Sequence, residues 1–285
     1  MQYIEFIHPE DAAALKTLKS IPILSTIMKK VMDIGAEQLQ TGLNMASKVK
    51  LSPTQLPRLY NILPPICERL EIKEPEFYLE MNPLPNAYAF GDTQTAITIT
   101  SALVDMMSEE ELIGVVAHEC GHIACRHMLY HTLAQVIANA SGMFETLAKL
   151  AVPIHYALMY WQRKSELSCD RAAAYIVGPK ATASMLARLA GGPKSITSEL
   201  NLEELAEQAD LYDAFCKNGL WNKTLQTYAV MDQDHPFTSV RVREMLKWTE
   251  SEDYQNLVNG GPFCSHCHTP VDPTWKFCQH CGHKL

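Results

Sequence analysis

Two histidines and a glutamate in Val116-Ala117-His118-Glu119-Cys120-Gly121-His122 are spaced for metal chemistry. On a helix, side chains at i and i+4 share a face, so His118 and His122 can turn ring nitrogens to one zinc ion while Glu119 reaches a water held there. Zinc with a carboxylate beside it is an arrangement for hydrolysing peptide bonds. The H-E-x-x-H pattern arises by accident on the order of once in a hundred chains of this length, so its flanks must support it. They do: Ser108-Glu109-Glu110-Glu111 reads as a capping box, and Leu112, Ile113, Val115, Val116, Ile123 and Ala124 supply an apolar helical face through the motif.

A catalytic zinc takes three protein ligands and keeps one position open, so a third ligand must come from elsewhere. The metzincin continuation, H-E-x-x-H-x-x-G-x-x-H, would put its glycine at Cys125 and its last histidine at Met128. His127 is one residue out of register, where a continuing helix turns it away from the metal, and it reads as a polar helix residue. The other candidate is Glu166, in Trp161-Gln162-Arg163-Lys164-Ser165-Glu166-Leu167-Ser168-Cys169-Asp170, where a second acid follows at i+4. One helix could then complete the metal site through Glu166 and, through Asp170, hold the distal nitrogen of a ligating histidine, His118 first among them.

With these residues in view the chain resembles the M48 family of gluzincin metallopeptidases, HtpX-like proteases among them. Four blocks carry the likeness: Pro85-Asn86-Ala87-Tyr88-Ala89-Phe90, then Glu111 to His122, then Arg163 to Asp170, then His235-Pro236 with Arg241. The resemblance implies a zinc-dependent endopeptidase, with zinc on His118, His122 and Glu166 and with Glu119 as general base. It also implies that Asn86, with Ala87 beside it, lies near the substrate cleft, that His235 faces the metal and steadies the oxyanion, and that Arg241 braces that region. The implied fold is α+β, mostly α, a gluzincin-type peptidase domain with a small edge sheet. Membrane members of the family carry clear spanning helices, whereas this chain has only two marginal apolar segments, 127–144 and 150–162. A soluble branch without membrane association is therefore expected.

The tail holds a second metal pattern. Cys264 and Cys267, then Cys278 and Cys281, form two C-x-x-C pairs ten residues apart, and Gly282 allows the tight turn of a metal knuckle. Four thiolates make a closed tetrahedral site that organises a segment too short for its own core, as in a zinc ribbon. The zinc expected there is structural, giving two zinc ions in all. Between Pro262 and Leu285 two lysines face one aspartate, too little positive charge for nucleic acid, so the ribbon reads as a protein-docking module.

Three segments must position these groups. Residues 1–75 read as a helical region packing on a catalytic domain, residues 76–258 as that domain, and residues 259–285 as a linker and the ribbon. Strands are expected near Phe77–Met81, Ala87–Phe90 and Ala96–Thr100. The last alternates cleanly and reads as an edge strand, to which an extended substrate could add along Ile97 and Thr98. A helical pattern then runs from Ser108 to about Asn139, with His127, His131, Gln135 and Asn139 as a polar stripe. Pro153 should interrupt the apolar run before a helix over Trp161–Val177.

Composition sets outer bounds. The 285 residues are 47% hydrophobic with a net charge of -8, which excludes a broad basic surface for nucleic acid. Five scattered cysteines and four clustered ones suit thiols plus a metal site better than a disulfide framework, and the N-terminus lacks the features of a secretion signal, so a cytoplasmic location is expected. The rival to a peptidase is a non-enzymatic adaptor of the same fold, binding polypeptides and docking through the ribbon.

Overall fold

The computed structural model describes residues 5–22, 24, 28, 35–139, 145–217, 219, 236–260, 264, 271–272, 274–279 and 281–284. Its elements are α1 (Pro9–Lys19), α2 (Ala36–Ser47), β1 (Val49–Lys50), α3 (Leu63–Leu70), β2 (Glu76–Glu80), β3 (Ala87–Phe90), β4 (Ala96–Thr100), α4 (Ser101–Met106), α5 (Glu109–Ala124), α6 (Met128–Asn139), α7 (Glu145–Val177), α8 (Pro179–Gly191), α9 (Leu202–Lys217), α10 (Thr238–Thr249) and α11 (Glu252–Val258). The α+β, mostly α architecture expected from the sequence is what the chain adopts.

The sheet order is β1-β2-β4-β3, with β2 parallel to β4 and the outer pairs antiparallel. This corrects the placement of Ala96–Thr100 at an edge. Strand β4 is flanked on both sides, all five of its residues are buried, and Ile97 and Thr98 have no open side to offer a substrate. The alternation misleads because the threonine hydroxyls find partners inside. Thr100 Oγ1 accepts from the Asn86 amide at 2.9 Å and donates to the Leu84 carbonyl at 3.0 Å, and Lys48 Nζ reaches Thr98 Oγ1 at 3.2 Å. The edge nearest the H-E-x-x-H helix is β3, which packs against α5.

At the tip of the β3–β4 turn, Gly91 has φ +89°, and a Cβ there would lie 2.2 Å from the Gln94 carbonyl oxygen. Glu37 of α2 fastens this turn. Its Oε1 accepts from the amides of Asp92, Thr93 and Gln94 at 3.1, 2.9 and 2.5 Å, and its Oε2 accepts from the Thr93 hydroxyl at 2.9 Å.

Helix α5 begins with the capping box foreseen in the sequence. Ser108 Oγ accepts from the Glu111 amide at 3.3 Å, and the Ser108 amide donates to Glu111 Oε2 at 2.8 Å. Its other end departs from expectation, because the helical pattern to Asn139 is two helices. Arg126 adopts φ 56°, the His127 amide bonds back to the His122 carbonyl at 2.9 Å, and the Arg126 amide to that of Ile123 at 3.0 Å. That is a Schellman ending with arginine in the position glycine usually takes.

Helix α7 runs on through Pro153, held by Ile154, Leu158 and Trp161 in a core shared with Ala14 and Leu18 of α1 and Tyr130, Leu133 and Ala134 of α6. A larger core joins Val116, Ala117 and Cys120 of α5 to Ala172 and Ala173 of α7, Met185 and Leu186 of α8 and Val242 and Met245 of α10. Leu51, Leu63, Ile66 and Leu70 belong to the same core, so packing continues across residue 75. Among the described residues no helix is long and apolar enough to cross a membrane.

Gly121 sits where α5 crosses α7. A Cβ on it would lie 2.9 Å from the Ala172 Cβ and 3.1 Å from the Cys169 Cα, both fixed parts of the opposing helix. Gly121→Val should therefore force the helices apart, costing about 1–3 kcal/mol of stability and weakening zinc binding at the crossing. Urea unfolding and a zinc competition titration would check both effects.

Candidate active site

Three helices that are distant in sequence bring the charged groups together. Helix α5 carries His118, Glu119 and His122, helix α7 carries Glu166 and Asp170, and helix α10 carries Arg241, all of them buried. Glu166 faces both imidazoles, its Oε2 3.3 Å from His118 Nε2 and its Oε1 3.2 Å from His122 Nε2. Ligands about 2.0–2.1 Å from a tetrahedral zinc lie about 3.3–3.4 Å from one another, so these separations suit a shared ion. The donor set, two imidazole nitrogens and a carboxylate, also fits zinc.

Cys169 is a competing donor in the same neighbourhood, close enough to His118 and His122 to join a metal group. It is nevertheless the poorer third ligand. Its sulfur lies 3.7 Å from His127 Nδ1, a contact that takes it up with a group behind His122. The carboxylate of Glu166 meets the Nε2 atoms directly.

Behind His118, Asp170 Oδ1 stands 3.1 Å from Nδ1. Arg241 clasps Asp170 with two bonds, Nε to Oδ2 at 2.8 Å and Nη2 to Oδ1 at 2.7 Å, and its Nη1 lies 3.3 Å from Glu166 Oε2. Nη2 also approaches His118 Nδ1 at 3.4 Å. A guanidinium only donates, so with Nδ1 protonated towards Asp170 this approach is a close contact and not a bond. Burial alone would lower the His118 pKa, but Asp170 and Glu166 outweigh it and hold the ring up at about 10. Burial would raise Asp170, and Arg241 and His118 reverse that, keeping it below the usual carboxylate range.

Behind His122 stands a group that sequence reasoning set aside. His127 does not point into solvent as a polar helix residue. It is fully buried, its Nδ1 is 3.2 Å from His122 Nδ1, and its Nε2 is 3.1 Å from Asp11 Oδ2 of α1. On an unbroken helix a residue five places on would lie about 140° round from His122. The Schellman turn ends the helix first and folds His127 back beneath the ring. His131 also faces inward, its Nδ1 3.0 Å from Gln162 Nε2, while the side chains of Gln135 and Asn139 lie outside the described residues.

Asn86 is exposed at the entry to β3, with Ala87 half-buried after it. His235 lies outside the described residues, as does Cys267. In the tail the sulfurs of Cys264, Cys278 and Cys281 cluster, with Cys264 and Cys281 3.7 Å apart. Thiolates about 2.3 Å from a tetrahedral zinc lie about 3.8 Å apart, so this cluster suits that ion as well. The turn around it is closed by the Cys278 amide to the His283 carbonyl at 2.7 Å and the Gly282 amide to the Cys278 carbonyl at 2.9 Å.

Fold and site together define a zinc metallopeptidase. Comparison with known proteins is specific on this point: residues 53–249 match peptidase family M48, and residues 263–285 match a zinc-ribbon domain. The chain belongs to peptidase family M48. It is 32% identical over 260 residues to the plastoglobule-localized metallopeptidase 48, chloroplastic, of Arabidopsis thaliana, covering 89% of this chain and 75% of that protein. It is 26% identical over 218 residues to a protease HtpX homolog of Campylobacter concisus, covering 66% of this chain and 73% of that one. A protease HtpX homolog of Methylibium petroleiphilum is 28% identical over 230 residues, covering 72% of this chain and 79% of the relative. No solved structure matches the chain.

Proposed function

We propose that the protein is a zinc-dependent endopeptidase in which His118, His122 and Glu166 hold the catalytic ion and Glu119 is the general base. One observation carries this reading: both Nε2 atoms and both Glu166 oxygens converge at 3.2–3.3 Å, with Glu119 next to His118 on the same helix. Zinc held there supplies Lewis acidity, lowering the pKa of a water and polarising the scissile carbonyl. Glu119 takes the proton of the attacking water and passes it to the leaving amine. Asp170 accepts from His118 Nδ1 and so keeps Nε2 available to the ion, while Arg241 holds Asp170 in place. His235, when close to the cleft, donates to the developing oxyanion.

An extended substrate adds along β3, beginning at Asn86 and Ala87, where main-chain pairing gives affinity with little demand on side chains. A four-thiolate ribbon, with Cys267 as its fourth ligand, holds a second, structural zinc, suits a reducing compartment such as the cytoplasm, and provides a surface for a protein partner.

The test is cleavage of a diverse quenched-peptide pool by the zinc-loaded chain. Hydrolysis that a chelator abolishes and zinc restores is the expected result. A zinc-loaded chain that binds peptides and cuts none would overturn the peptidase reading and favour the adaptor.

A further inference from the structure

Asp11 is buried in α1, more than a hundred residues before His122 in the chain, yet it ends a series of contacts that starts on that histidine. Three groups converge on its carboxylate: Trp161 Nε1 at 3.0 Å from Oδ1, and Ser168 Oγ at 2.6 Å and His127 Nε2 at 3.1 Å from Oδ2. Asp11, His127, Trp161 and Ser168 are all fully buried.

The direction of every proton in this series follows from the donors. Trp161 Nε1 can only donate. Ser168 Oγ already accepts from the His8 amide at 2.9 Å, which leaves its hydroxyl hydrogen for Asp11. Asp11 therefore acts as acceptor throughout, and His127 must present Nε2–H to it. A neutral His127 then has a bare Nδ1. That nitrogen faces His122 Nδ1 at 3.2 Å, a separation that holds one proton and not two, so the proton belongs to His122. Among the described residues, Cys169 Sγ at 3.7 Å is the other group that meets His127 Nδ1, and a thiol is a weaker donor to it. With Nδ1 protonated, His122 keeps the lone pair on Nε2, the atom that faces Glu166.

We propose that Asp11 and His127 are positioning residues for the metal, fixing His122 in the tautomer that can ligate through Nε2 and so making α1 part of the zinc site. The inference rests on His122 being a zinc ligand. Each ligating histidine would then have its own support from a different part of the chain: Asp170 directly behind His118, and Asp11 through a second imidazole behind His122. Such partners typically change metal affinity about 10–100-fold when removed.

Asp11→Ala removes the acceptor that holds the proton on His127 Nε2. His127 can then carry its proton on Nδ1, and His122 Nδ1 loses its fixed acceptor, so that the His122 proton is free to sit on Nε2. His127→Leu breaks the relay, while His127→Gln can keep it, with an acceptor towards His122 and a donor towards Asp11. Zinc affinity at this site is read by chelator competition on the full chain, the ribbon zinc being identified as what remains in His122→Ala.

The expected result is an about 10–100-fold loss in Asp11→Ala and His127→Leu, with His127→Gln within about threefold of the parent. Equal losses in His127→Leu and His127→Gln, or an unchanged affinity in a folded Asp11→Ala, would overturn the proposal. An affinity unmoved by His122→Ala would instead remove the ligand assignment beneath it. Long-range ¹⁵N spectra of the zinc-loaded parent give an answer that needs no variant. His127 protonated at Nε2 alone supports the relay, and protonation at Nδ1 or at both nitrogens contradicts it.

Discussion

Replacing Glu119 by glutamine is expected to lower peptide hydrolysis by about 10²–10⁴-fold while leaving zinc content unchanged. The two side chains are nearly isosteric, and Glu119 is buried on α5 without being one of the three groups that converge at the metal position. What glutamine loses is the ability to take a proton. Because that proton moves only in the reaction, the loss should fall on kcat, with KM nearly constant. Measurement of both constants beside zinc content on the same preparation decides the matter. Activity within tenfold of the parent would remove Glu119 as the base, and joint loss of zinc and activity would make it part of the metal's support.

The second large effect is expected at Arg241. Its guanidinium faces two buried carboxylates, Asp170 and Glu166, each 1% exposed. Burial would lower the arginine's pKa, but these neighbours outweigh it and keep the charge in place. Arg241→Met leaves that negative charge without its partner, and breaking a buried pair in this way costs about 3–5 kcal/mol. The cost should be largest without metal and smaller with zinc bound, since the ion's own charge then offsets part of the deficit. Urea unfolding of parent and variant, with chelator and with zinc, measures both differences. A metal-free loss below about 1 kcal/mol would show that the cluster does not depend on this arginine.

How far the sequence reveals this arrangement depends on whether a contact is local. His118, Glu119 and His122 share one helix whose capping box and apolar face are visible in order, and Glu166 and Asp170 sit at i and i+4 on another. The clasp of Arg241 on Asp170 is foreshadowed only through the family resemblance. Asp11 carries no local signal, because its role exists only once α1 has packed against α6 and α7. His127 misleads for a different reason: periodicity assumes the helix goes on, and Arg126 ends it in a left-handed turn that glycine usually makes. In β4, clean alternation suggests an edge strand, yet the strand is central and the hydroxyls of Thr98 and Thr100 are satisfied from within. A polar residue in a strand reports the need for a partner and not the presence of water.

Glu37 gives the β3–β4 turn a property that its exposed position would not suggest. The amides of Asp92, Thr93 and Gln94 all donate to this one carboxylate, so their exchange with deuterium should be slow for a surface turn. In Glu37→Ala it should speed up at those three amides first and then along β3. The stiffness of the strand offered to a substrate would thus be set from α2, and whatever shifts α2 would change how readily that strand yields.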